Sequence, residues 1–208
     1  MINKILGYFK HKKLDETHDY WKKPNDSDND ETLYLDGEST LPRSEYLLGI
    51  VKRYFSKEAK ILELGCNVGR NLNYLFQNGY NNISGIEINA SAVALMRKNY
   101  PEMMNHSNIM NGKIEDYINS FKDKEFDLIY TIAVLEHIHT DSEWIFEEMV
   151  KKSKYILTIE DEGAVSWRHF PRNYKKVFKK STMIESSQTP LIPGFTQSFK
   201  TRLFLNQT

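Results

Sequence analysis

Short apolar runs alternate with helix-spaced apolar stripes along most of the chain. Ile61, Leu62 and Leu64 form an uninterrupted run that predicts a buried parallel strand, and Leu72, Leu75 and Phe76 then recur at helical spacing as far as Gly79. Upstream, Leu47, Leu48, Val51, Tyr54 and Phe55 mark one face of a helix starting near Arg43, with Thr40 as its cap and Pro42 in its first turn. A second strand over 82–88 carries Ile83 and Ile86, and the helix after it is capped by Asn89 and stops before Pro101. A short third strand near 108–110 is followed by the apolar run FDLIYTI. Thr140 and Glu143 then have capping-box spacing for a helix to about Lys152, with Ile145, Phe146, Met149 and Val150 facing the sheet. A fifth strand over 155–160, a helix around 173–180, a segment over 183–187, a PLIPG turn and an alternating strand over 198–205 complete the pattern. Strands alternating with helices predict an α/β fold with a largely parallel sheet.

The junction after the first strand carries the most chemistry. Glu63 ends the apolar run, and Gly65 and Gly69 bracket a turn whose backbone can pass close to a ligand. A dinucleotide site would want Gly-x-Gly-x-x-Gly, so that backbone amides reach a pyrophosphate. Asn67 stands at the middle position and Arg70 at the last, and Glu63 would repel a pyrophosphate while favouring an ammonium group. At the end of the second strand, Glu87 suits bidentate hydrogen bonding to ribose hydroxyls, a role common to several nucleoside cofactors.

This pattern resembles the first motif of the class I S-adenosylmethionine (SAM) methyltransferases, whose usual form is acidic residue, x, Gly, x, Gly, x, Gly; here Asn67 replaces one glycine. The fourth-strand segment, with its Leu135-Glu136-His137 triplet, resembles the family's fourth motif, and the resemblance spans roughly residues 40–206. It implies a Rossmann-like, seven-stranded, mostly parallel sheet with helices on both faces and an antiparallel last strand. It also implies SAM as cofactor and S-adenosylhomocysteine (SAH) as product. On this resemblance Glu63, Gly65, Cys66, Asn67, Gly69 and Asn71 would cradle the methionine end; outside the motifs, the guanidinium of Arg43 at the start of the first core helix is a candidate partner for the methionyl carboxylate. Glu87 and Ile88 would hold the ribose, the Ile114 backbone with Glu115 or Asp116 would read the adenine, and Thr131, Ile132 and Ala133 would meet the cofactor at the C-terminal end of the fourth strand. Lys113 replaces the usual acidic or hydroxyl residue of the third motif.

Methyl transfer asks a protein to align a nucleophile and, for a hydroxyl or ammonium acceptor, to take its proton. His137 is the first candidate base, since it follows the fourth strand where an acceptor would sit; Glu136 would orient it and His169 is a second candidate. Glu160, Arg168, His169 and Arg172, in and after the fifth strand, offer carboxylate, imidazole and guanidinium groups to a polar acceptor. Glu136, His137 and His139 cluster as hard and borderline metal ligands, but no second acidic group stands at a known spacing, so no metal is expected. Tyr20, Trp21 and Tyr34 are candidates for covering the sulfonium.

The 208 residues fit one domain, and 28 Lys and Arg against 28 Asp and Glu leave no net field for nucleic acid or an anionic membrane. Cys66 alone makes an internal disulfide impossible and fits a reducing compartment. No apolar run is long enough to span a bilayer, so a cytoplasmic monomer or homodimer acting on a small-molecule acceptor is expected. Residues 1–39 are read as a cover and 40–208 as the catalytic domain. In the cover, Ile2, Ile5, Leu6 and Phe9 beside Lys4, Lys10, Lys12 and Lys13 suggest a basic amphipathic helix packed over the cofactor cleft. Residues 25–31 read as a mobile loop; Asp26, Asp28 and Asp30 mimic half a calcium-binding loop whose glycine and glutamate are missing. The leading expectation is methyl transfer to oxygen or nitrogen of a sugar or secondary metabolite. RNA or protein methylation, non-catalytic SAM binding and nicotinamide-linked redox chemistry are the rivals.

Overall fold

The computed structural model describes residues 12–24 and 29–207. The described residues form a seven-stranded sheet in the order β3-β2-β1-β4-β5-β7-β6. Its strands are β1 (Ile61–Leu64), β2 (Ile83–Glu87), β3 (Asn108–Asn111), β4 (Phe126–Ile132), β5 (Ser153–Asp161), β6 (Thr182–Gln188) and β7 (Phe199–Leu205). β1 to β5 are parallel, and β7 runs antiparallel to both β5 and β6. The expected seven-stranded Rossmann-like sheet with an antiparallel last strand is therefore what the chain forms.

The central strands are apolar on both faces because helices cover both. Ile61, Leu128, Tyr130, Leu157 and Leu203 pack with Leu47 and Val51 of α2 (Leu41–Tyr54), Leu72 and Leu75 of α3 (Arg70–Gln77) and Met96 of α4 (Ala90–Asn99). Their sequence neighbours Leu62, Ile129, Ile156 and Phe204 pack on the other side with Ile114 of α6 (Ile114–Tyr117), with Ile145, Phe146 and Met149 of α7 (Trp144–Lys152), and with Tyr174 of α8 (Tyr174–Val177). Burying each such side chain is worth about 1.5–3 kcal/mol. Period-two alternation is thus hidden in what reads as a continuous apolar run.

Local details depart from expectation. Thr40 does not cap α2, because its hydroxyl donates to the Leu35 and Gly37 carbonyls. Thr140 and Glu143 make no capping box: Thr140–Ser142 is a single 3₁₀ turn, and α7 starts only at Trp144. Asn89 caps α4 as expected, accepting from the Ser91 and Ala92 amides. Pro101 opens a further short helix, α5 (Pro101–His106), because proline is tolerated at a first helical position.

The main addition is α1 (Leu14–Lys22), a helix with Asp15 and Glu16 in its first turn and Thr17 and Tyr20 buried. Ile2, Ile5, Leu6 and Phe9, and the Asp26 and Asp28 positions, lie outside the described residues. Asn29, expected in a solvated loop, is buried, since Tyr20 and Tyr34 hydroxyls satisfy its amide. Asp30 then caps a 3₁₀ turn over Glu31–Tyr34. Among the described residues no helix is long and apolar enough to cross a membrane.

Candidate active site

A cavity of about 660 Å³ opens at the carboxyl ends of the parallel strands. In an open α/β sheet this is where crossover loops diverge and ligands fit. Its first wall is the turn from β1 to α3. Gly65, Asn67 and Gly69 all hold positive φ, at 67°, 48° and 73°. Asparagine tolerates the left-handed region better than other residues with a Cβ, so Asn67 keeps the backbone path of the glycine it replaces. Its amide donates to Glu87 Oε2 at 2.7 Å, while Glu87 Oε1 accepts from the Asn89 amide at 2.7 Å. The carboxylate at the end of β2 therefore locks the first turn to the second.

Beneath the turn lies a buried polar chain. Asn71 donates to Glu63 Oε1 at 3.0 Å, and its own Oδ1 accepts from Arg70 at 3.1 Å and from the Ser44 hydroxyl at 2.9 Å. Burial pushes Glu63 up to about 8, against the Asn71 hydrogen bond and the Arg70 charge. A cation beside it would restore its charge. Arg43 reaches the same end of the cavity from α2, lying so close to Gly194 that a Cβ there would come within 2.8 Å of its guanidinium carbon.

At the opposite wall, Gly112, Lys113, Ile114 and Glu115 follow β3, and Ile132, Ala133 and Val134 follow β4. Glu115 Oε1 accepts from Ser142 at 2.7 Å and pairs with His18 Nε2 at 2.9 Å. Through His18, α1 is fastened to α6, and Thr17, His18 and Trp21 of α1 line the cavity.

The remaining end is polar. Glu136, His137, Arg168 and His169 line it together with Trp21. The His137 and His169 rings are 4.6 Å apart, and the Trp21 ring is 4.5 Å from His137. His137 Nδ1 donates to the Arg168 carbonyl at 3.0 Å, which leaves Nε2 with its lone pair. Burial, then the neighbouring His169, holds this ring neutral, with its pKa pulled down to about 3. Glu136 is shifted the other way by burial and by the Glu160 carboxylate. Glu160 itself accepts from the Val134 and Glu136 amides, so it is the better solvated of the two by protein groups.

Residues 62–154 match the family model of a methyltransferase domain. That stretch contains the turn, Glu87 and the Leu135-Glu136-His137 triplet described above. The matched stretch is similar to a methyltransferase domain, in agreement with the motif resemblance to the class I SAM-dependent methyltransferases. No curated protein matches it, but solved methyltransferases share its fold. Magnesium protoporphyrin IX methyltransferase from Synechocystis PCC 6803, solved with bound SAH, superposes with a TM-score of 0.70 at 13% identity, covering 92% of this chain and 98% of that one. The PH0226 protein of Pyrococcus horikoshii gives 0.68 at 15% identity over 84% of this chain and 95% of its own. A putative RNA methyltransferase from the same organism, PH1948, gives 0.60 at 12% over 93% and 99%.

The methyltransferase's cofactor is SAM, and the cavity has groups to receive it. Arg43 Nε, Glu63 Oε2 and Asn67 Oδ1 are buried with no hydrogen-bond partner among the described residues, and all three belong to residues of the cavity wall. One cationic donor and two oxygen acceptors left open at one end fit the carboxylate and ammonium of a methionine moiety. Of the residues singled out from sequence, Arg43, Glu63, Gly65, Cys66, Asn67, Asn71, Glu87, Ile88, Ile114, Glu115, Ile132 and Ala133 line the cavity, as do Glu136, His137, Arg168 and His169.

Gly69, Thr131, Glu160 and Arg172 lie outside its wall. Gly69 starts α3 behind the turn, and Glu160 holds the backbone after β4. Arg172, a candidate for acceptor binding, donates instead to the Leu135, Phe170 and Ile138 carbonyls and to Glu143, so it pins the loop. Trp21 and Tyr34 line the cavity; Tyr20 is buried beside it and accepts from Arg168 at 2.6 Å. Sequence reasoning missed Ser44, His18 and Ser142. Their partners stand 27, 97 and 27 positions away, so no local spacing marks them.

Proposed function

We propose that this methyltransferase moves the methyl group of SAM to an oxygen or nitrogen of a small polar acceptor, of the sugar or secondary-metabolite kind. The observation that carries the reading is one cavity with two chemically different ends, lined also by Thr17, His18 and Trp21. One end has the open groups suited to a methionine moiety; the other has a carboxylate, two imidazoles and a guanidinium. About 660 Å³ falls within the range of small-molecule sites, whereas a polymer would need an open groove.

SAM supplies a sulfonium-activated methyl carbon. The chain's own residues would do the rest. Glu63 and Arg43 would fix the methionine end, Glu87 the ribose hydroxyls, and the Ile114 backbone with Glu115 the adenine side. Arg168, held by Tyr20, would orient the acceptor. Glu136, His137 and His169 would face the reacting oxygen or nitrogen and take up its proton, an effect worth roughly 10²–10⁴ in rate.

Incubation with methyl-labelled SAM tests this, using pooled hydroxyl- and amino-bearing metabolites in one arm and RNA and protein in others. Label should enter the small-molecule arm, and His137→Ala and His169→Ala should each cut turnover by about a hundredfold or more. Label found only in RNA or protein would transfer the activity to those acceptors. SAH binding without transfer to anything would make the chain a non-catalytic SAM module.

A further inference from the structure

Glu136, His137 and His169 each aim one atom at a common point. Glu136 Oε1 lies 3.6 Å from His137 Nε2 and 3.8 Å from His169 Nε2, and one ligand atom from each residue falls within 4.8 Å of the others. These separations are too long for hydrogen bonds. They are close to the spacing of about 3.4 Å that two ligand atoms have when each is bonded at about 2.1 Å to one tetrahedral ion.

The opposite side of every group is already held. Glu136 Oε2 accepts from the Asp161 amide at 2.5 Å, His137 Nδ1 donates to the Arg168 carbonyl, and His169 Nδ1 sits 2.5 Å from the Ser166 hydroxyl. A second partner on the far nitrogen fixes the ring and its tautomer, as in protein metal centres where a carbonyl or hydroxyl backs each ligating imidazole. The two residues at the cluster's base are adjacent on the 3₁₀ turn Leu135–His137, and the third arrives on the loop after β5, held by the Glu136 carbonyl accepting from the Phe170 amide at 2.7 Å. Each residue also lines the cavity, so the face between them is open to a ligand.

We propose that Glu136, His137 and His169 form a binding site for a divalent first-row transition-metal ion, with its open positions directed at a hydroxyl-bearing acceptor. Two imidazoles and one carboxylate suit zinc, iron, manganese or cobalt; magnesium and calcium prefer all-oxygen shells. The hydrogen bond from His137 Nδ1 to the Arg168 carbonyl leaves the Nε2 lone pair free for coordination. The assignment rests on the proposed acceptor end of the cavity, where the ion would acidify a bound hydroxyl. It replaces the sequence-based expectation of no metal, which weighed His139 as third ligand; His139 Nδ1 instead accepts from the Asp141 amide at 3.1 Å.

The test is cobalt uptake by the full chain after treatment with chelator and desalting, followed by visible absorption and elemental stoichiometry. One ion per chain is expected, with His137→Ala and His169→Ala each weakening affinity more than tenfold. Ser166→Ala, which removes only a backing group, should lose about tenfold. SAH calorimetry and thermal unfolding, run on every variant, certify that each is folded. The proposal is overturned if the wild-type chain binds SAH yet takes up neither cobalt nor zinc. It is equally overturned if a folded His137→Ala/His169→Ala chain keeps wild-type affinity. Failure of the methyltransferase reading would appear separately, as loss of SAM and SAH binding in the wild-type chain.

Discussion

Asn67 and Glu115 illustrate how single residues bind distant segments. Asn67 takes a φ of 48° at a position where the family motif has glycine, and the amide it presents closes the link to Glu87. Glu115 ties α1 and the 3₁₀ turn Thr140–Ser142 to α6. Burial opposes its charge, but hydrogen bonds from His18 and Ser142 outweigh burial and pull its pKa from the ordinary 4.5 to about 2. A folded-state pKa below the unfolded one means that Glu115 stabilises the protein above about 4.5, and that this contribution is lost as pH falls toward about 2. Thermal unfolding across that interval should show an acid-induced loss that Glu115→Gln lacks. Equal acid sensitivity of the two chains would remove Glu115 from this role.

Among the elements, the β1–α3 junction has the least room for change. A Cβ on Gly69 would meet Met96 Cγ at 2.6 Å while the residue holds φ of 73°. Backbone strain and overpacking of α4 therefore add, at roughly 1 kcal/mol for the left-handed conformation and about 1–3 for the clash. Gly69→Ala should lower unfolding free energy by at least about 2 kcal/mol in urea and weaken SAH binding, because Asn67 moves with the turn. Unchanged stability would mean that Met96 relaxes freely. Helix α1 is a different kind of element: it lines the cavity through Thr17, His18 and Trp21, yet its stripe is short and mostly aromatic or polar.

At the scale of the whole molecule, the antiparallel strand β7 supports from outside the end of the cavity lined by Glu136, His137 and His169. Arg202 makes a paired contact with Glu162, 2.7 Å from Nε to Oε1 and 2.8 Å from the guanidinium tip to Oε2, and both side chains are only about a tenth exposed. Glu162 also accepts from the Tyr174 amide, so β7 braces both ends of the loop carrying Arg168 and His169. Arg202→Leu leaves a buried carboxylate unpaired and should cost about 3 kcal/mol, measured by urea unfolding. Acceptor turnover should fall further than SAH affinity, since the loop at stake lies at the end proposed for the acceptor. A loss confined to SAH binding would refute that placement.

The strand-turn-helix units were legible because their signals are local. Apolar runs that must be covered on two faces, a carboxylate at a strand end, and glycines where φ must be positive all fall within a few residues of one another. The sequence by itself therefore determined the parallel α/β core, the turn at Gly65 and Gly69, and a carboxylate, Glu87, at the end of β2; that Glu87 links the two turns emerged only in three dimensions. Which polar side chains share a point in space was decided only in three dimensions. Arg172 and Arg168 look equivalent along the chain, yet one spends its donors on loop carbonyls while the other reaches Tyr20 and the cavity. His139 and His169 are both plausible partners for Glu136 and His137, and chain proximity favours the wrong one. The selection comes from the return of the loop after β5 onto the end of β4, where hydrogen bonds between residues 25 to 37 positions apart set each side chain's direction. Such bonds have no periodicity to read, because their partners meet only once the sheet has brought the strand ends together.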